Sequence, residues 1–202
     1  WLPFDAMIEK TAPMTERMET LATDTLLLYF TSGTTGYPKM VCHDHTYPIA
    51  HIVTAKYWHN VDPDGLHLTV SETGWAKSVW GKLYGQWFLG AGIFVYDFDR
   101  FIPADLLAKI QEYRITTFCA PPTIYRFLIK EGLENYALSS LKYVTTAGEA
   151  LNPEVFRQFE QKTGLRIHEA FGQTETTVLM GNFVGAKDEK VGSLGKASPL
   201  YD

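Results

Sequence analysis

The apolar run Leu26-Leu27-Leu28-Tyr29-Phe30 passes without a break into Thr31-Ser32-Gly33-Thr34-Thr35-Gly36-Tyr37-Pro38-Lys39. Five apolar residues followed by small hydroxyl residues and two glycines read as a strand that ends in a tight loop. Successive N–H groups in such a loop form a concave anion site, and the Ser and Thr hydroxyls add donors. Lys39 brings a compact positive charge suited to a polyphosphate. The Walker A pattern does not fit: counted from Gly33, the second required glycine is Pro38 and the hydroxyl residue after the lysine is Met40. Pro38 has no N–H to offer a phosphate. A P-loop NTPase is therefore disfavoured.

After this loop, apolar spacing and breakers lay out an alternation of helices and strands. Ile49, Ile52, Val53 and Tyr57 predict a helix near 46–59, and Leu66 to Val70 a short strand. Trp75, Val79, Trp80, Leu83, Tyr84, Trp87 and Phe88 form one wide helical stripe that Gly90 and Gly92 end. Ile93 to Tyr96 is a strand, Pro103 opens a helix bearing Leu106, Ile110 and Tyr113, and Thr116 to Ala120 is a strand that stops at Pro121-Pro122. A helix over 123–131, a strand from Leu141 to Thr146, a helix begun by Asn152-Pro153 and closed by Gly164, a strand from Arg166 to Phe171 and one over 177–182 complete the pattern. Residues 1–24 mix Pro, Met and charge and read as an irregular lead-in to a core over 25–202. The alternation predicts an α/β fold with a mostly parallel sheet and helices on both faces. In such sheets ligands bind beyond the C-terminal strand ends. The loops after Phe30, Thr146 and Ala170 are all expected there, converging on one pocket.

A second constellation is His168-Glu169-Ala170-Phe171-Gly172-Gln173-Thr174-Glu175-Thr176. Phe171 can stack on a flat base, Gly172 leaves room beside a phosphate, Thr174 can donate to a phosphate oxygen, and Glu175 is a hard oxygen ligand suited to Mg²⁺. Standing alone, the string also reads as an edge strand and a turn. A third stretch, Ala147-Gly148-Glu149-Ala150-Leu151 followed by Asn152-Pro153, is by itself an ordinary strand-to-helix loop.

Taken together these stretches resemble the adenylate-forming superfamily of acyl-CoA synthetases, luciferases and peptide-synthetase adenylation domains. T-S-G-T-T-G-x-P-K at 31–39 resembles its signature loop, and 171–175 its Y-G-Q-T-E motif, with Phe171 where Tyr is usual. Residues 148–153 resemble the G-E-x-L/I-x-P loop. Ser71-Glu72-Thr73-Gly74-Trp75 is similar to S-D-T-G-W of medium-chain acyl-CoA synthetases, and Gly192-Ser193-Leu194-Gly195-Lys196-Ala197 to a glycine-rich segment found there. The resemblance spans nearly all of residues 25–202. It implies part of the large N-terminal domain of an AMP-forming acyl-CoA synthetase, using ATP, Mg²⁺ and CoA on a short- to medium-chain carboxylic acid. Implied catalytic residues are Lys39, Thr174 and Glu175, the last also the metal ligand. Implied nucleotide-binding residues are Thr31, Ser32, Gly33, Thr34, Thr35, Gly36 and Lys39 for phosphate; Gly148, Glu149 and Ala150 beside the adenine; and Glu169, Ala170, Phe171, Gly172, Gln173 and Thr174. Gly172 stands where acetyl-CoA synthetases carry Trp, which implies a pocket open to acids longer than acetate. Trp75 either walls that pocket or packs in the core.

The resemblance also includes a later ribose-binding Asp, a hinge and a C-terminal domain with a catalytic Lys, for which no counterpart precedes Asp202. The chain, from Trp1 to Asp202, is accordingly read as part of a longer polypeptide that would not by itself make acyl-adenylate. Two other readings stay open: another adenylate-forming enzyme, such as an aryl-CoA ligase or peptide-synthetase adenylation domain, and a non-catalytic nucleotide-binding module.

Bulk properties agree with a globular core. Hydrophobic residues make up 46% and charged residues 20% of 202, and the net charge of −5 with no basic block argues against a nucleic-acid surface. Cys42 and Cys119 form no C-x-x-C pair, so neither a zinc site nor a disulfide framework is expected, and Cys119 reads as a buried thiol. With no signal peptide or membrane-length apolar run, a cytoplasmic protein is expected. His43 and His45 follow the first loop, either near a phosphate or as partly exposed polar residues. Lys77, Asp97 and Asp99 are read as a solvated face.

Overall fold

Leu68, Phe118, Val144 and Ile167 lie side by side across four strands as successive register partners, and all four are buried in one apolar cluster. Around that row the computed structural model describes residues 3–32, 36–72, 74–80, 82–186 and 189–201.

The row belongs to β3 (Leu66–Thr69), β5 (Thr117–Cys119), β6 (Tyr143–Thr146) and β7 (Ile167–Gly172). With β4 (Gly92–Ile93), β8 (Val178–Gly181) and β9 (Lys196–Ala197) they form a sheet of order β4-β3-β5-β6-β7-β8-β9. The pairs from β4 to β7 are parallel, and β8 and β9 are antiparallel additions at one side. The mostly parallel α/β sheet expected from the alternation is the observed fold.

Helices α5 (Pro103–Glu112), α6 (Pro122–Glu131) and α7 (Pro153–Thr163) cover the apolar row with Leu106, Leu107, Ile110, Tyr125, Leu128 and Phe159. Each starts on a proline, whose missing N–H and fixed φ suit the first helical position. Asn152 caps α7 by accepting the Glu154 N–H at 2.8 Å, and Gly164 closes it at φ 73°, where a Cβ would be strained.

The opposite face is more polar, because the alternate positions there are His67, Thr69, Thr117, Thr145 and His168. It meets Trp58 and His59, at the end of the π-helical turn Thr54–Trp58 that continues α2 (Tyr47–Val53). His67 bridges Thr117 and Thr69 at 2.7 and 2.8 Å, and His59 meets Thr145 at 2.9 Å. Trp58 packs fully buried with Cys119, Ala147, Ala170 and Val178, and its indole N–H donates to the His168 carbonyl at 3.2 Å. Cys119 is indeed a buried thiol.

Four expectations need correction. The lead-in carries a short helix, α1 (Phe4–Ile8). The strand before the first loop, β1 (Thr25–Thr31), does not enter the parallel sheet; it forms a separate antiparallel hairpin with β2 (Lys39–Asp44). The seven residues from Ser32 to Pro38 are enough for the chain to reverse, so a strand follows the loop where a direct run to a helix was expected, and only the loops after β6 and β7 lie at parallel strand ends. The long stripe of 75–88 is two helices, α3 (Ala76–Trp80) and α4 (Tyr84–Phe88). At the crossing of α4 on α2, a Cβ on Gly85 would lie 2.2 Å from the His51 carbonyl oxygen, so the helices meet backbone to backbone. The strand at 93–96 pairs only over Gly92–Ile93, with one further bond from the Phe94 N–H to the His67 carbonyl.

Candidate active site

The hairpin pins both ends of the first loop together, since Thr31 and Lys39 are register partners. Ser32, Gly36 and Lys39 are exposed, and Gly36 adopts φ 89°, a conformation that requires glycine. Gly33, Thr34 and Thr35 lie outside the described residues. On β2, the alternation that exposes Cys42 turns His43 inward, where its ring stacks on buried Tyr47 at 3.8 Å and meets the edge of Tyr29. Its Nε2 lies 2.7 Å from the Thr174 carbonyl oxygen. A carbonyl only accepts, so Nε2 carries the proton. Burial raises the Tyr29 hydroxyl to about 12, with Tyr84 adding to the shift, and burial likewise pushes the Tyr47 hydroxyl up.

The second motif leaves β7 through an irregularity between Phe171 and Gly172. A Cβ on Gly172 would lie 2.5 Å from the Thr177 carbonyl oxygen, so the glycine serves a close backbone approach as well as any pocket. The turn beyond is closed by Thr176, whose hydroxyl accepts the Gln173 N–H at 3.0 Å and donates to the Thr177 carbonyl at 2.9 Å. Phe171 is 41% exposed. Gln173 and Glu175 are exposed and Thr174 is half-buried. The Glu175 carboxylate makes no hydrogen bond or ion pair among the described residues.

The third motif starts from buried Ala147; Gly148 turns at φ 100°, and Glu149 and Ala150 are exposed. Ala170 and Glu169 are buried. Glu169 does not open to the site: it accepts the Leu151 N–H at 2.9 Å and so ties the third motif to β7, while burial raises its pKa. Thr123 donates to Glu149 at 2.9 Å. Lys77 is not on a solvated face; its ammonium reaches the Ala147 carbonyl at 3.1 Å. Trp75 is 69% exposed, which removes the core-packing alternative. Thr73 of the same stretch lies outside the described residues.

The residues brought together are thus the hairpin, the turn 173–176, the loop 148–150 and the start of α3. A cavity of about 290 Å³ lies beside the turn, lined by His43, Asp44, Glu175, Thr176 and Tyr201 among others. Two hydrogen bonds from Thr46 hold the Asp44 carboxyl below its usual range. Among the described residues no three His, Cys, Asp or Glu side chains are grouped to hold a metal alone, and no helix is long and apolar enough to cross a membrane. His43, Tyr201 and Lys77 are the contacts that sequence reasoning missed. The inward parity of His43 on a strand was the available signal, and it was hidden because β2 itself went unrecognised.

The AMP-binding enzyme family model matches residues 3–202. The chain belongs to the AMP-binding enzyme family. Human acyl-coenzyme A synthetase ACSM3, mitochondrial, is 40% identical over 186 residues, which are 92% of this chain and 32% of that protein. The chain therefore spans about a third of the length of the curated relatives it matches. Among solved structures, a Brucella canis acyl-CoA synthetase superposes with a TM-score of 0.88 at 27% identity, covering 100% of this chain and 38% of that one. The anthranilate CoA ligase AuaEII in complex with anthranoyl-AMP gives a TM-score of 0.88 at 25% identity, covering 100% and 39%. These relatives correct the expected compartment: the curated acyl-coenzyme A synthetases are mitochondrial, which overturns the cytoplasmic assignment. An AMP-binding enzyme also accounts for the mismatch to Walker A at Pro38 and Met40.

Proposed function

We propose that this AMP-binding chain forms the nucleotide and acid site of an AMP-forming acyl-CoA synthetase. A carboxylate oxygen of the acid attacks the α-phosphorus of ATP, forming acyl-adenylate and releasing pyrophosphate. The thiol of CoA then attacks the acyl carbon, forming the thioester and releasing AMP. The observation that carries this reading is the hydrogen bond from His43 to Thr174, which joins β2, the strand that leaves the first loop, to the second motif although the two residues lie 131 positions apart. The relatives cited above support the same class.

The first step needs positioning and charge neutralisation more than proton transfer. Thr31, Ser32, Gly33, Thr34, Thr35, Gly36 and Lys39 hold the β- and γ-phosphates, and Thr174 donates to the α-phosphate. Phe171 and the Gly148-Glu149-Ala150 loop take the two faces of the adenine. Gln173 borders the phosphate end, Ala170 packs behind it in the cluster around Trp58, and Glu169 supports the adenine loop from behind. Mg²⁺ fits this donor set, because the ion binds through one or two carboxylates plus substrate phosphates and water, and Glu175 is exposed with no other partner among the described residues. When bound, the ion neutralises phosphate charge, and Glu175 is the side chain that would hold it. Trp75 and Gly172 border the acid. A glycine at 172 favours acids from propionate to medium chain over acetate.

The test is acyl-CoA formation by the full-length polypeptide across acetate, propionate, butyrate, hexanoate and octanoate. The expected result is ATP- and CoA-dependent thioester formation that is lowest with acetate. No thioester with any acid contradicts the reading, and best turnover of acetate contradicts the acid assignment.

A further inference from the structure

We propose that His43 and Tyr201 are positioning residues that hold the nucleotide-binding turn 173–177 from outside. Neither belongs to the three motifs. The assignment rests on the acyl-CoA synthetase reading of the same site.

The side chains of Thr174 and Glu175 make no hydrogen bonds among the described residues, so nothing in those side chains fixes where the hydroxyl and carboxylate point. The backbone must do so. At one end of the turn, the Thr174 carbonyl is held by His43 at 2.7 Å. That ring is rigid in its own right, clamped by the 3.8 Å stack on Tyr47, a residue only 5% exposed. At the other end, the Thr177 N–H donates to the Tyr201 hydroxyl at 2.8 Å, and the Thr177 hydroxyl shares a second bond with it at 3.0 Å. The Thr177 carbonyl, in turn, is the atom that a Cβ on Gly172 would strike. The turn is thus gripped at residues 174 and 177, with Thr176 closing it within.

His43 also stands on the strand that begins at Lys39. One strand therefore carries both the lysine of the first loop and the ring that fixes the second motif. A site preorganised in this way does not have to order the turn when ATP binds.

The experiment uses the full-length polypeptide with H43A, H43Q and Y201F. ATP affinity is measured by calorimetry, KM values for ATP, acid and CoA by steady-state kinetics, and stability by thermal melting. Loss of either grip raises the ATP Kd and KM about five- to tenfold, the size expected from one lost hydrogen bond. KM for acid and for CoA stays near wild type, the melting temperature falls only by what one lost hydrogen bond costs, and H43Q, whose amide N–H can reach the same carbonyl, restores ATP affinity. Unchanged ATP affinity in H43A or in Y201F overturns the assignment. So does an equal loss for all three substrates with a lowered melting temperature, which marks a merely structural role. If the wild type binds ATP and both variants weaken that binding, but no acid is activated, the grip stands and the synthetase reading falls. Wild-type protein that binds no ATP overturns both.

Discussion

Glu169 accepts the backbone N–H of Leu151 at 2.9 Å, which joins the strand carrying the second motif to the loop of the third. The carboxyl is buried, and burial moves its pKa upward. Its task is to accept one hydrogen bond, for which charge is not required.

Replacing Glu169 by Gln therefore keeps the acceptor and is expected to change stability little. Glu169→Ala leaves a buried N–H without a partner, at a cost of about 1–3 kcal/mol. Chemical denaturation of the two variants measures the difference, and equal losses would show that the charge itself matters.

Gly85 is expected to tolerate no side chain. A Cβ there meets the His51 carbonyl oxygen at 2.2 Å and the Ala55 Cβ at 2.6 Å, both parts of a packed helix. Gly85→Ala is expected to destabilise by about 1–3 kcal/mol through forced separation of α2 and α4. Gly148→Ser tests the opposite surroundings, because nothing lies within 4 Å of its Cβ position and only the φ of 100° opposes it. The melting temperature should fall less at Gly148 than at Gly85.

Gly172 is required by the close approach of Thr177 and, in the proposed synthetase, also borders the acid. Because the obstacle is a backbone oxygen at 2.5 Å, Gly172→Ala is expected to lower the melting temperature and to reduce acyl-CoA formation with every acid. Undiminished stability with loss confined to the longer acids would show that the acid pocket alone sets this residue.

Stability should decline on mild acidification. Burial, aided by His43, lowers His51 from 6.5 to about 3, and burial with His67 lowers His59 well below 6.5. The unfolded chain takes up protons below pH 6.5 that the folded chain refuses, so the stabilisation is whole above 6.5 and drains as pH falls toward 3. Each histidine contributes a slope of about 1.4 kcal/mol per pH unit in that window. Glu169, with its raised pKa, offsets part of this by binding its proton earlier in the folded state. Denaturation midpoints at pH 7.5, 6 and 5 measure the trend, and His59→Asn should flatten it.

The parallel core was legible because its signals are local: prolines at 103, 122 and 153 start the three helices of one face, and Gly132 and Gly164 end two of them. The hairpin was not. Lys39 to Asp44 mixes charge, sulfur and imidazole with no clean alternation, and only the pairing with β1 reveals it as a strand. The three motifs were visible as strings, but the contacts that bring them together rest on His43, Tyr201, Glu169 and Lys77. Three of these reach backbone carbonyls or N–H groups far away in sequence, and Tyr201 reaches both a backbone N–H and a hydroxyl. Such long-range pairings leave no periodic trace. The exposure of Trp75 was equally hidden, because an aromatic stripe looks the same whether its first member is covered or open.

The most direct test of the central claim is exchange of isotopically labelled pyrophosphate into ATP by the full-length polypeptide, with and without carboxylic acid. The account predicts exchange that appears only with acid and is lost in Lys39→Ala and Glu175→Gln, both of which stay folded. Exchange without acid, exchange that survives both substitutions, or no exchange by protein that binds ATP would contradict it.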